Sequence, residues 1–141
     1  MVVNFQALSK KTGDEFEKLV LEDLENKGFS IINRNVYMPR TGCEVDFVAV
    51  NNVENIIWHV EAKGGKHGDK KRPGAQRTDN VKKSIANASL IKTLYPDIYY
   101  VSYFSAPPKR GSYSEEMITL ALLNRLFNDV IYLREDDGKD N

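Results

Sequence analysis

Asp46 stands on an alternating polar and apolar stretch, and Glu61-Ala62-Lys63 closes the run that begins at Ile56. Side chains at i and i+2 of a strand share a face, so Glu61 and Lys63 point the same way. Pairing of 43–50 with 56–63 across the Asn-rich turn from Asn51 to Asn55 brings Asp46 alongside both. Two carboxylates beside an ammonium, close to Gly64 and Gly65, are costly in a core and make sense at a reaction centre. The chemistry they suit is phosphodiester hydrolysis. Asp46 and Glu61 would hold Mg²⁺, a hard cation that takes oxygen ligands and keeps several waters, with the Ala62 carbonyl as a third protein oxygen and Mn²⁺ as a substitute ion. Such a metal lowers the pKa of a bound water and offsets charge building on the phosphate. Lys63 would either orient or deprotonate that water, or stabilise the transition state electrostatically; both roles stay open.

The elements that must position these groups can be read along the chain. Thr12 caps a helix running to about Lys27, Glu15 completes a capping box, and Gly28 supplies the stop. Phe16, Leu19, Val20, Leu21 and Leu24 form its buried stripe, which Glu17 borders. Phe29 to Tyr37 reads as a strand and Pro39 to Gly42 as a turn. On Cys43 to Val50, alternation puts Glu44, Asp46 and Val48 on one face and Val45, Phe47 and Ala49 on the other. After a glycine-rich basic loop at Gly64 to Gly74, a helix is expected over Ala75 to Leu94, with Val81, Ile85, Ala88 and Ile91 inside and Pro96 beyond its end. Ile98 to Ser105 is a strand. Ser114 caps a further helix, with Glu115 and Glu116 suited to the positive end of its dipole, and Val130 to Leu133 is a last strand. The order α-β-β-β-α-β-α-β implies an α/β domain with a central mixed sheet flanked by helices.

Size and composition set limits on this reading. A chain of 141 residues fits one domain, here 1–134 with a polar tail at 135–141. At this length roughly 68% of the unfolded surface is buried, enough for one sheet with helices on it. No apolar run is long enough to span a bilayer, and no charged-then-apolar leader opens the chain. Cys43, the single cysteine, excludes an internal disulfide and a thiolate-rich zinc site, and fits a reducing, cytoplasmic setting. Charge is balanced at 20 basic and 20 acidic residues, but from Lys63 to Lys83 eight basic residues face only Asp69 and Asp79. A neutral total therefore conceals one cationic stretch.

Thr41-Gly42-Cys43-Glu44-Val45-Asp46 followed by His59-Val60-Glu61-Ala62-Lys63 resembles the core signature of the PD-(D/E)XK nuclease superfamily, which includes restriction enzymes, junction resolvases, and recombination and repair nucleases. The likeness covers roughly Gly13 to Leu94. It implies a restriction-endonuclease-like architecture and Mg²⁺-dependent endonucleolytic cleavage of DNA, branched or duplex, by a homodimer. Asp46 and Glu61 match the metal ligands and Lys63 the catalytic lysine. Glu17 resembles the helical acid that reaches the metal. Gln76 matches the post-lysine helix position in part, because Asn80 stands where the exonuclease branch has tyrosine. Val45 stands where a proline often precedes the aspartate.

Several residues admit two readings. Glu44 shares the face of Asp46 and is either a supporting acid or a solvated strand charge. His59 reads first as a packed histidine, and His67 as an exposed loop residue. Lys66, Lys70, Lys71, Arg72 and Arg77 form either a solvated surface or a phosphate grip, with Lys109 and Arg110 as weaker candidates; a grip makes binding salt-dependent. Tyr95, Tyr99, Tyr100 and Tyr103 read as strand and core aromatics. Two rival functions remain beside the DNA endonuclease: an RNA or single-strand nuclease, and a catalytically inactive nucleic-acid-binding module of the same fold.

Overall fold

The computed structural model describes residues 5–64 and 73–134, and of 5–14 the backbone alone. Lys66, His67, Lys70, Lys71, Arg72 and the tail at 135–141 lie outside the described residues. Helix α1 spans Phe5–Asn26, followed by strands β1 (Ser30–Met38), β2 (Cys43–Asn51) and β3 (Ile56–Lys63). A 3₁₀ turn at Gly74–Gln76 leads into α2 (Thr78–Leu94), then β4 (Tyr99–Phe104), α3 (Tyr113–Leu123) and β5 (Asp129–Tyr132). The five strands form one sheet in the order β1-β2-β3-β4-β5. β1, β2 and β3 are antiparallel neighbours; β3, β4 and β5 run parallel. The expected α/β domain with a mixed sheet flanked by helices is borne out.

Helix α1 begins earlier than its sequence suggests. Thr12 lies inside the helix, so it cannot cap it: a cap residue must itself have non-helical backbone angles. The upstream segment carries Gln6, Ala7, Leu8, Lys10 and Lys11, all good helix formers, and the helix extends through them. Its end is as expected. Gly28, at φ +92°, takes the left-handed position; its N–H donates to Glu25 O and the Phe29 N–H to Leu24 O, closing the two bonds of a Schellman motif. Phe29 and Leu24 then pack in one apolar cluster.

That cluster lies on one face of the sheet, where Phe16, Val20 and Leu24 of α1 cover Phe47, Ala49, Trp58, Val60, Val101 and Tyr103. The other face is covered by α2 and α3, whose Val81, Ala88, Ile91, Ile118 and Ala121 pack with Val48, Tyr100 and Phe104. The β2–β3 hairpin is set by buried Asn51, whose Oδ1 accepts the N–H groups of Val53 and Glu54. Its register pairs Asn51 with Ile56 and Phe47 with Val60.

Helix α3 starts at Tyr113, and its cap is Ser112 rather than Ser114. Ser112 Oγ accepts the Glu115 N–H, while Glu115 Oε1 accepts the Gly111 N–H, so Glu115 stands three residues after the true cap. Ser114 is buried within the first turn. Among the described residues, no helix is long and apolar enough to cross a membrane.

Candidate active site

The parallel strands β3 and β4 pair as far as Lys63 with Phe104, and their carboxyl ends converge on the start of α2. Ser105 N–H donates to Lys63 O, and Ala75 N–H to Ala106 O, so the 3₁₀ turn is fastened beside the end of β3. Asn80 adds a bond from its side-chain amide to Gly74 O. Two glycines make the close approach possible. A Cβ at Gly64 would lie 2.6 Å from the Cβ of Phe16, and one at Gly74 would lie 2.4 Å from Ala106 N.

Asp46, Glu61 and Lys63 are brought together at this end of the sheet. Ladder pairing between β2 and β3 ends at Phe47 with Val60; beyond it, Asp46 Oδ2 accepts the Ala62 N–H at 2.7 Å. Across β1, the residue opposite Asp46 is Asn35, which takes a left-handed φ of +51°. The strict alternation expected for β2 breaks here. Val45 joins Val48 in the cluster under α2 and α3 instead of Phe47 in the cluster under α1, a correction located at the step from Val45 to Asp46, where the facing strand carries the left-handed Asn35.

Glu61 is 2% exposed and reaches toward α2. Its Oε2 accepts a hydrogen bond from Asn87 Nδ2 at 2.8 Å, while Oε1 is buried and has no hydrogen-bond partner among the described residues. Burial raises its pKa, against the attraction of Lys63 and the Asn87 bond, and nearby Asp46 raises it further. Asp46 is also shifted up by burial, opposed by the Ala62 N–H and by Lys63, with a smaller upward push from Glu44. Lys63 therefore acts on both acids through space; among the described residues no ion pair within 4.0 Å ties it to either. The Tyr100 hydroxyl is buried next to Glu61 and Ser84 without reaching hydrogen-bond geometry. Burial, and then the charge of Glu61, push its pKa well up. Ser84 bonds Ser102 at 2.7 Å, so a polar strip on α2 faces the polar strip of β3 and β4.

The remaining expected residues fall in other places. Glu17 lies on α1, over the opposite sheet face from Glu61, with Oε1 3.7 Å from the guanidinium of Arg34, which itself stacks over Phe47. Among the described residues, no group of three or more His, Cys, Asp or Glu side chains is arranged to hold a metal ion. Glu17 is thus not gathered into one set with Asp46 and Glu61. Gln76 sits on the 3₁₀ turn rather than on a helix. It lines a groove of about 360 Å³ with Thr78, Lys109 and Ser112. Arg77 follows as the residue that precedes α2. His59 is half-buried in the sheet, its Nδ1 has no partner, and burial lowers its pKa. Of the four tyrosines, Tyr100 and Tyr103 are core residues, and Tyr103 donates its hydroxyl to Asp23 of α1.

Sequence alone does not mark Asn87 or Tyr100 as site residues. A signal for Asn87 exists: Ser84 and Asn87 interrupt, at helical spacing, the apolar stripe of Val81, Ala88 and Ile91. For Tyr100 no local signal distinguishes it from its core neighbours.

Hard oxygen donors suit a divalent ion such as Mg²⁺ or Mn²⁺, and the bare, buried Glu61 Oε1 beside Asp46 is an acceptor that such an ion would satisfy. The residues present therefore fit a metal held by Asp46 and Glu61. No family model, curated protein or solved structure matches this chain, so the site is read from its own geometry.

Proposed function

We propose that this chain is a metal-dependent nuclease of the PD-(D/E)XK type, hydrolysing phosphodiester bonds of DNA with Asp46, Glu61 and Lys63. The observation that carries the reading is the state of Glu61: a buried carboxylate with one oxygen held by Asn87 and the other bare, next to a second acid and an ammonium. An ionised group in that setting is expensive unless a cation completes it. Asp46 and Glu61 would hold Mg²⁺ or Mn²⁺, with the Ala62 carbonyl as the further oxygen that the sequence suggests. When bound, the ion supplies a lowered water pKa and charge compensation at the phosphate.

The chain's own residues do the rest. The Ala62 N–H orients Asp46, and Asn87 orients Glu61. Lys63, half-buried at the end of β3, brings positive charge to where the transferred phosphoryl oxygens gain negative charge. Arg77, with Gln76 and Lys109 in the adjoining groove, offers contacts to the nucleic-acid backbone, and the basic residues from Lys66 to Arg72 extend that charge in sequence. A homodimer would cut two strands symmetrically.

The test incubates wild type and Lys63→Ala with supercoiled plasmid, a four-way junction, single-stranded DNA and RNA, in Mg²⁺, Mn²⁺ or chelator. Metal-dependent nicking of DNA by wild type, near-complete loss in the variant and unchanged folding are expected. Equal activity of the two proteins removes Lys63 from the chemistry, and cleavage confined to RNA reassigns the substrate. A second reading, a binding module without turnover, draws on the two-acid set lacking a gathered third carboxylate among the described residues. It requires nucleic-acid binding that is equal with and without metal, and no cleavage.

A further inference from the structure

A carboxylate has two equivalent oxygens, and the last torsion of a glutamate side chain is soft, so nothing in Glu61 itself decides which oxygen faces Asp46 and Lys63. The decision comes from helix α2. Asn87 Nδ2 donates to Oε2 at 2.8 Å and leaves Oε1 without a partner among the described residues. Asn87 is in turn carried by a helix whose neighbouring Ala88 and Ile91 are buried in the core. The ring of Tyr100 closes the neighbouring space with its hydroxyl beside the carboxylate.

We propose that Asn87 is a positioning residue, which by holding Glu61 Oε2 dedicates Oε1 to the divalent ion shared with Asp46. This rests on the metal-nuclease reading. Hydrogen bonds behind a ligating carboxylate fix its orientation, and their loss weakens metal affinity by about 10- to 100-fold. Asn87 touches neither substrate nor metal in this scheme; its effect passes wholly through Glu61.

The experiment titrates Mn²⁺ alone into the full chain, wild type and variants, following heat by calorimetry and free Mn²⁺ by electron paramagnetic resonance. Thermal unfolding without metal is measured in parallel. Asn87→Leu, close in size but without a donor, is expected to bind Mn²⁺ at least about 10-fold more weakly. Asn87→Gln, which keeps the amide one methylene further out, recovers part of that affinity. Ser84→Ala removes a different buried bond of the same helix, lowers Tm and binds Mn²⁺ like wild type. If Asn87→Leu does not fold, Asn87→Ala, which also lacks a donor, carries the same comparison. Equal Mn²⁺ affinity in wild type and the Asn87 variant overturns the positioning role, as does an equal loss in Ser84→Ala, which would mean general loosening of α2. Failure of the wild type to bind Mn²⁺ at all overturns the metal reading, and this proposal with it.

Discussion

Asp46 Oδ2 accepts the Ala62 backbone N–H at 2.7 Å, just past the last ladder pair of β2 and β3. One side chain thereby holds the end of β3 in place and stays beside Glu61. Its two tasks separate by substitution. Asp46→Asn retains a side-chain oxygen for the Ala62 N–H, so it folds with wild-type stability or better while losing metal-dependent cleavage. Asp46→Ala leaves that N–H without its partner and costs about 1–3 kcal/mol as well. Urea unfolding alongside a plasmid-nicking assay distinguishes the two; equal stability of both variants would show that water replaces the bond at no cost.

The buried acids make the metal-free protein sensitive to pH, and the sign follows from their raised pKa values. Below the ordinary values of 4.5 for Glu61 and 3.8 for Asp46, folded and unfolded chains both carry the protons and no penalty arises. As pH rises above those values the unfolded chain ionises first, so stability falls, and the loss is complete and persists once the folded carboxylates ionise too. Glu61→Gln keeps an acceptor for Asn87 and escapes its share of the loss. Its Tm without metal should exceed that of wild type at pH 8, with the difference closing as pH falls below 4.5. A wild type that is the more stable protein at pH 8 would contradict this.

Gly64 follows Lys63 directly, and Phe16 fills the space where its side chain would be. Gly64→Ala places a methyl 2.6 Å from Cβ and 2.9 Å from Cγ of Phe16, which is fully buried. Overpacking of this kind costs about 1–3 kcal/mol, and the relief available is a shift of α1 away from the end of β3. Lower stability in guanidinium melts is expected, and Gly64→Ala as stable as wild type would mean that α1 yields without cost.

The groove that joins Gln76 to Lys109 lies next to Arg77, so these two cations are candidates for phosphate contact. Each contact releases counterions, and Arg77→Ala or Lys109→Ala should reduce the slope of log K against log salt by about 0.9 for duplex DNA. Fluorescence anisotropy across a salt series measures this. An unchanged slope excludes the residue from the interface.

Much of this arrangement is legible in the chain because it depends on near neighbours. The hairpin through Asn51 and the i, i+2 relation of Glu61 and Lys63 put Asp46, Glu61 and Lys63 together on period and turn chemistry alone. Helix starts are less legible. Ser112 and Ser114 are both good caps, and the choice falls to Ser112 because only from there does Glu115 stand at the third position. At α1, Thr12 has the chemistry of a cap, but a favourable upstream sequence carries the helix past it. Asn87 meets Glu61 across 26 residues of chain, and only the packing angle of α2 on the sheet decides that pairing. The face of Val45 departs from the strand period next to the left-handed backbone of Asn35, an irregularity that a period of two does not contain.

The strand order has a kinetic consequence. β1, β2 and β3 are joined by short turns, whereas β4 and β5 reach the sheet only after the crossovers that contain α2 and α3. Contacts between near neighbours close fast, and those requiring long excursions of chain close slowly. Asp46 and Glu61 therefore meet early, on a meander still open along one side of β3, and the amide of Asn87 and the ring of Tyr100 arrive late. Pulse-labelling during refolding should show amides between β2 and β3 protected before those between β3 and β4, so that the two acids spend the interval in water, where their charges cost little.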